Sequence, residues 1–339
     1  MSTPLVSFLL PTRNSGATLA GALDSLEEQT ERDHEVVVVD DGSTDGTAAL
    51  LESRGDPRLR VLRIGHAGLL AALNRGLAEC RGRYVARMDA DDLCRPERLE
   101  GQLEIAEADG DVSVVGTQVE VFSTEGEVAE GFRLYAEWQN SLLCHEEICR
   151  EIFIESPIAH PSALLRREEL LALGAYEERG WAEDYDLWLR YHAAGRRFAK
   201  VAAPLLRWRD HPGRATRTDG RYSVENFLRA KAHYLARGPL RDRDGLVIWG
   251  AGRTGRRLSK HLIRAGHEPV CFIDVAPHRI GGTLRGVPVL AAGELMACWS
   301  SQRRPILLAA VASRGARALI RDQLADMGLM EVEDYLCVA

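Results

Sequence analysis

The sequence contains no C-x-x-C pair, although its 339 residues include seven cysteines: Cys80, Cys94, Cys144, Cys149, Cys271, Cys298 and Cys337. An odd, scattered set argues against a disulfide framework or a zinc knuckle and for reduced thiols. No apolar stretch approaches the roughly 20 residues needed to span a bilayer. The opening MSTPLVSFLLPTRN has no basic n-region, and its short apolar run breaks at Pro11, so no signal peptide is expected. Excess positive charge is missing too. Fifty acidic side chains against 43 Lys and Arg give a formal net charge of −7, which disfavours a wholesale nucleic-acid binder. Short-period repeats and low-complexity segments are absent. With 45% hydrophobic and 27% charged residues, collagen-like, coiled-coil and disordered readings fall away. The expectation is a cytoplasmic protein with no transmembrane segment and, from its length, about two domains.

What is present is a rhythm of short apolar runs and amphipathic segments. Val6–Leu10 reads as a strand, followed by Leu19, Leu23 and Leu26 at helical spacing. Val36–Val39 is a β-branched strand that stops at Asp40-Asp41-Gly42. A helix around Thr47–Glu52, strand Arg60–Ile64, helix Leu69–Cys80 and strand Tyr84–Met88 follow. Strands alternating with helices predict a parallel sheet covered on both faces, with ligands beyond the carboxyl ends of the strands. Polar clusters lie at those ends: Pro11-Thr12-Arg13-Asn14, Asp40-Asp41-Gly42-Ser43 and Asp89-Ala90-Asp91-Asp92. From 112 to 215 the pattern loosens, with a strand at Val112–Val115 and helices near 139–150 and 184–194. Tyr222–Arg237 reads as another helix, and residues 238–244 as a linker. The rhythm then restarts with Leu246–Trp249, a helix from Thr254, and strands Val270–Asp274 and Ile306–Ala310. The predicted domains are therefore 1–237 and 245–339.

Asp89-Ala90-Asp91-Asp92 sets three carboxylates on four residues after an apolar strand. Like charges so close repel and raise each other's pKa unless a cation neutralises them. An oxygen ligand set suits Mg²⁺ or Mn²⁺, which commonly bridge carboxylates to substrate phosphates. Alone, the same acids would equally serve as a solvated turn before the helix that Pro96-Glu97-Arg98 could open. The ordered series VSFLLPTRN, VVVVDDGSTDGT, GLLAALNRGLAECRGRYVARMDADD, HPSALLRR and EDYDLWLR, over about residues 4–215, resembles the family-2 glycosyltransferases.

The resemblance implies a GT-A fold, a mostly parallel α/β sheet flanked by helices. It also implies transfer of a sugar from a nucleotide-diphosphate donor to a hydroxyl on a glycan or lipid-linked acceptor, as in polysaccharide assembly. Asp41 then looks like the contact to the base, with Pro11 and Thr12 lining the base and ribose pocket. Asp89 looks like the ribose-side carboxylate and Asp91 the metal ligand, with Asp92 behind them. Asp184, in the Glu183-Asp184 pair, matches the catalytic base of a single inverting displacement. Without that context, two acids at a helix start would only cap free amides. In the basic run from Arg207 to Arg217, His211 is a candidate third metal ligand or phosphate contact; the alternative is an Arg-rich solvated loop. His160 fits a family motif but reads as structural, and Arg87 as balancing the acids beside it. UDP is the expected carrier, with dTDP and GDP open; a homo-oligomer stays open.

In the C-terminal segment, Gly250-Ala251-Gly252-Arg253-Thr254-Gly255 sits between a strand and a helix, with Asp274 about 20 residues on. This resembles a smaller Rossmann-like nucleotide-binding domain. Gly250, Gly252, Gly255 and Asp274 are thus candidates for a second nucleotide; the alternative is a packing module. Two competing readings of the whole chain are a sugar nucleotidyltransferase and a nucleotide-sugar-binding regulatory protein. Pro11-Thr12-Arg13-Asn14 lacks the glycines that the first of these would need after its opening strand.

Overall fold

In the computed structural model, which describes residues 3–124 and 126–339, the two leading apolar runs become strands β1 (Val6–Thr12) and β2 (His34–Asp41). Both are buried along their whole length. Burial on both faces is what parallel strands under two helical layers require, and it explains why these runs do not alternate polar with apolar. The chain divides into two compact units. One comprises residues through Ile148, Pro157–Arg179 and Arg190–Thr218. The other comprises Cys149–Ser156, Gly180–Leu189 and Asp219–Ala339.

The first unit adds β3 (Leu59–Ile64), β4 (Tyr84–Arg87), β5 (Leu93–Cys94), β6 (Val112–Phe122), β7 (Leu164–Arg166) and β8 (Arg197–Arg209), in sheet order β3-β2-β1-β4-β7-β6-β8-β5. The β3-β2-β1-β4 portion is parallel. β7 runs antiparallel to both neighbours, while β6 and β8 are parallel. Phe8, Leu10, Val36, Val38, Met88 and Leu99 belong to its core. Each fully buried side chain of this size contributes roughly 1.5–3 kcal/mol. The order reverses at β1 and β4, so the crevice beyond their carboxyl ends is where such a sheet takes its ligand.

Three features differ from the sequence expectation. β6 runs well past Val115, and its pairing with β8 slips at three places, so strict alternation is lost. The segment near 139–150 is two helices, Glu130–Asn140 and His145–Glu151; between them the Leu143 and Cys144 amides donate to Glu147 Oε2. Arg207-Trp208-Arg209 is the end of β8 rather than a loop.

The second unit holds β9 (Gly245–Trp249), β10 (Pro269–Asp274), β11 (Thr283–Leu284), β12 (Val287–Ala291), β13 (Pro305–Ala309) and β14 (Tyr335–Cys337), in the order β11-β12-β10-β9-β13-β14. All its pairings are parallel except β11 with β12. Here the order reverses between β9 and β13. Among the described residues, no helix is long and apolar enough to cross a membrane.

Candidate functional site

Pro11 and Thr12 end β1, buried, and Asp41 ends β2. Thr12 Oγ1 is buried without a hydrogen-bond partner among the described residues. The loop after β1 is latched to the loop after β2. Asn14 N–H donates to Ser43 Oγ at 2.9 Å, and Gly16 N–H donates to Asp45 Oδ2 at 3.0 Å. Asp41 accepts from the Ala67 and Gly68 amides at 2.6 and 2.9 Å and from His66 Nδ1 at 2.9 Å. Burial pushes its carboxyl up, but those donors outweigh burial and hold it below the usual range. A carboxylate offers about four acceptor positions, so three donors leave one for a ligand.

Beyond β4, one ligand oxygen from each of Asp89, Asp91 and Asp92 lies within 4.8 Å of the others. Asp89 pairs with buried Arg87. Asp91 Oδ2 meets His211 Nε2 at 2.8 Å, so the β4–β5 connection and the chain just past β8 converge on one point. Asp92 is buried; its Oδ1 accepts from the Arg209 amide at 2.8 Å, while Oδ2 has no hydrogen-bond partner among the described residues. Burial first, then the charges of Asp91 and Asp89, push Asp92 well above the ordinary carboxylate range. Asp89 is also raised, by burial ahead of the opposing Arg87 charge. For Asp91, burial is outweighed by His211 and Arg214, and its carboxyl is lowered. Arg214 lies over the rings of Phe132 and Trp208, at 4.2 and 4.6 Å. An orphaned carboxylate oxygen, two carboxyls pushed up by burial and by neighbouring acids, and an adjoining imidazole are what a cation of the Mg²⁺ or Mn²⁺ type relieves. The residues fit such a group.

Asp184 belongs to the second unit, in the first turn of helix Glu183–Ala193, with a part-exposed side chain. Its Oδ1 accepts from the Tyr185 amide at 2.7 Å and its Oδ2 from Ser156 Oγ at 3.4 Å. Glu183 beside it accepts from Tyr222 Oη at 2.8 Å through both oxygens. Burial, then the charges of Glu183 and Glu155, push Asp184 up to about 7. That value suits proton transfer near neutral pH.

Residues 7–173 match the family model "Glycosyl transferase family 2". The amylovoran biosynthesis glycosyltransferase AmsE of Erwinia amylovora is 31% identical over 194 residues, 56% of this chain and 70% of the relative. The chain belongs to glycosyl transferase family 2. Another relative, the Escherichia coli UDP-Gal:alpha-D-GlcNAc-diphosphoundecaprenol beta-1,3-galactosyltransferase, is 29% identical over 255 residues, 72% of this chain and 88% of its own. Among solved structures, S. aureus TarS 1-349 superposes with a TM-score of 0.54 at 20% identity, covering 76% of this chain and 71% of that one. The mannosyltransferase PcManGT of Pyrobaculum calidifontis, solved with GDP-Man and Mn2+, gives 0.50 at 20% identity, covering 97% and 81%. These likenesses support the GT-A fold.

In this family-2 chain His160 is buried and bonded to Tyr176 Oη at 3.1 Å; burial, helped by Arg87, lowers its pKa well below the ordinary value, leaving a neutral packing group. Reasoning from sequence missed His66, whose signal was the glycine-flanked Gly65-His66-Ala67-Gly68 between a strand and a helix. It also missed the Arg209 amide, which no side-chain pattern can announce. In the second unit, Gly250 has φ +117°, and a Cβ at Gly255 would stand 1.8 Å from the Gly250 carbonyl oxygen, so the turn and its helix pack closer than any side chain allows. Asp274 accepts from the Ala251 amide at 2.8 Å, the Ala276 amide at 2.9 Å and Arg279 at 3.1 Å.

Proposed function

We propose that this glycosyltransferase is an inverting, metal-dependent enzyme that moves a sugar from a nucleotide-diphosphate donor, UDP-linked first, to an acceptor hydroxyl in polysaccharide or lipid-linked glycan assembly. The observation that carries the reading is the meeting of Asp89, Asp91, Asp92 and His211 with one buried carboxylate oxygen left unmatched. Supporting it, TarS has been solved with UDP-GlcNAc and PcManGT with GDP-Man and Mn2+. The E. coli relative's name states a UDP-galactose donor and a diphosphoundecaprenol acceptor.

Asp91 and His211 would hold Mn²⁺ or Mg²⁺, with Asp89 toward the ribose. When bound, the cation supplies Lewis-acid stabilisation of the diphosphate as the anomeric bond breaks. Pro11, Thr12 and Asp41 bind the nucleoside end, Thr12 Oγ1 offering an unused hydroxyl. Arg214 offers a fixed positive charge for the departing phosphates. Asp184 takes the proton of the acceptor hydroxyl as that oxygen attacks; one base and no covalent nucleophile make the displacement invert. In the 245–339 domain Gly250, Gly252, Gly255 and Asp274 are the candidates for a second nucleotide, with turn and helix packing as the alternative. The test is release of UDP from UDP-sugars by the purified chain with Mn²⁺, with and without EDTA. Turnover that EDTA leaves unchanged removes the metal from the proposal.

A further inference from the structure

Helix Arg253–Arg264 carries Arg253, Arg256, Arg257 and Lys260 at i, i+3, i+4 and i+7, a single stripe along its flank. That stripe walls a cleft of about 470 Å³, to which Arg279 and Arg285 also contribute, so six cations meet one acid, Glu225. Glu225 is already taken by Lys260 at 3.4 Å and His261 at 2.9 Å. Arg279 pairs with Asp274, and Arg285 donates to the Arg256 carbonyl. Among the described residues, the guanidiniums of Arg253, Arg256 and Arg257 have no acidic partner. Like charges at these spacings disfavour a helix, and a polyanion in the cleft would remove the repulsion. The free amides at the helix start, where Gly252 supplies no capping side chain, add to the same potential.

A second cleft of about 500 Å³ shares Gly252, Arg253 and Arg279 with the first. It opens at the ends of β9 and β13, where the strand order reverses, and Val275, Ala276, Val311 and Ala312 give it an apolar side. Gly252 puts no side chain on the shared wall. Asp274 already accepts from two backbone amides and Arg279, which leaves it one acceptor position, so recognition of the phosphates rests on the arginines. Three unmatched guanidiniums exceed the charge of about −1.5 to −2 that one phosphate monoester brings.

We propose that the C-terminal unit binds a diphosphate-bearing ligand, its phosphates against Arg253, Arg256 and Arg257 and its organic part in the adjoining cleft. The proposal is independent of the transferase reading, because it uses none of the same residues and no metal. The shared chemistry, a diphosphate ester, could come from a free nucleoside diphosphate or from a lipid headgroup.

The test is calorimetric titration of the full chain with inorganic pyrophosphate in EDTA. Binding is expected in the wild type and in Asp91→Asn. It should weaken roughly a hundredfold in the Arg256→Glu, Arg257→Glu double variant, since each charge-assisted contact contributes about a factor of ten. The double Lys variant at the same positions should keep most of it. Tighter binding of UDP than of pyrophosphate assigns the nucleotide source. Stronger co-sedimentation with phosphatidylcholine vesicles carrying farnesyl diphosphate assigns the lipid source. Absence of pyrophosphate binding in the wild type, or affinity undiminished by the double Glu change, overturns the proposal.

Discussion

Asp184, the proposed base, would be one carboxyl both set for proton transfer and costly to stability. Its pKa of about 7 means that the ionised, proton-accepting form gains ground only as pH rises past neutrality. Turnover should therefore climb with pH through about 7 and level off above it, read from kcat against pH. Asp184→Asn should cut kcat by about 10²–10⁴ while donor affinity is kept; a variant with wild-type kcat removes Asp184 from the mechanism. The linkage has the opposite sign. A carboxyl raised in the folded state favours folding while protonated, and that contribution fades as pH climbs from the unfolded value toward 7. Asp184→Asn should then stabilise the chain at pH 8 by about 2 kcal/mol, after allowance for the part-exposed site, and by little at pH 4. Denaturant unfolding at the two pH values checks this. His211 reaches Asp91 from a distant point in the sequence. His211→Ala should weaken Mn²⁺ activation by about 10–100-fold, the scale of losing a group that ligates or orients a metal ligand; an unchanged Mn²⁺ titration removes His211 from the metal site.

Elements legible in the sequence are those whose pattern follows from a uniform environment. β1, β2 and β9 are buried on both faces, so their composition alone marks them, and what ends or follows each strand, Thr12-Arg13-Asn14, Asp40-Asp41 or the glycine turn from Gly250, marks the carboxyl ends. β8 was not legible. Of its 13 residues, Val201–Leu205 in the middle are nowhere buried, and its slipped register with β6 breaks the periodicity, so its last residues read as a basic loop. That misreading obscured how His211 and the Arg209 amide come to Asp91 and Asp92, because the end of β8 is brought there by its pairing with β6 and with β5, where Leu93 stands opposite Arg207. In the glycine turn the spacing admitted close packing as the alternative to a nucleotide site, and the geometry displays that close packing. Gly255→Ala would drive a methyl group to within 1.8 Å of the Gly250 oxygen. The backbone must move, and a loss of about 3 kcal/mol or more is expected. It should appear in hydrogen exchange as weakened protection of β9 and the helix after it, whereas Gly110→Ala, with open space around its Cβ, should change nothing there.

Across the whole molecule the same topological device occurs twice. Each unit has a parallel stretch of sheet, β3-β2-β1-β4 in the first and β12-β10-β9-β13-β14 in the second, whose order reverses once, and each has polar groups gathered near that point, acids in the first and arginines in the second. The net charge of −7 therefore conceals two clusters of opposite sign, one acidic and one basic. Because each unit has its own sheet, heating should give two transitions rather than one. UDP with Mn²⁺ at a hundredfold excess over Kd should stabilise the unit that binds it by about 2.7 kcal/mol. At about 2–4 °C per kcal/mol for a unit of this size, that moves one transition up by about 5–10 °C. The shift of the first unit's transition should vanish in EDTA and in Asp91→Asn but persist in the Arg256→Glu, Arg257→Glu double variant, while any shift of the second unit's transition should survive EDTA and be lost in the double variant. Scanning calorimetry separates the cases, since a shift that survives EDTA and Asp91→Asn but disappears in the double variant would place the nucleotide at the arginine stripe instead of at the acids.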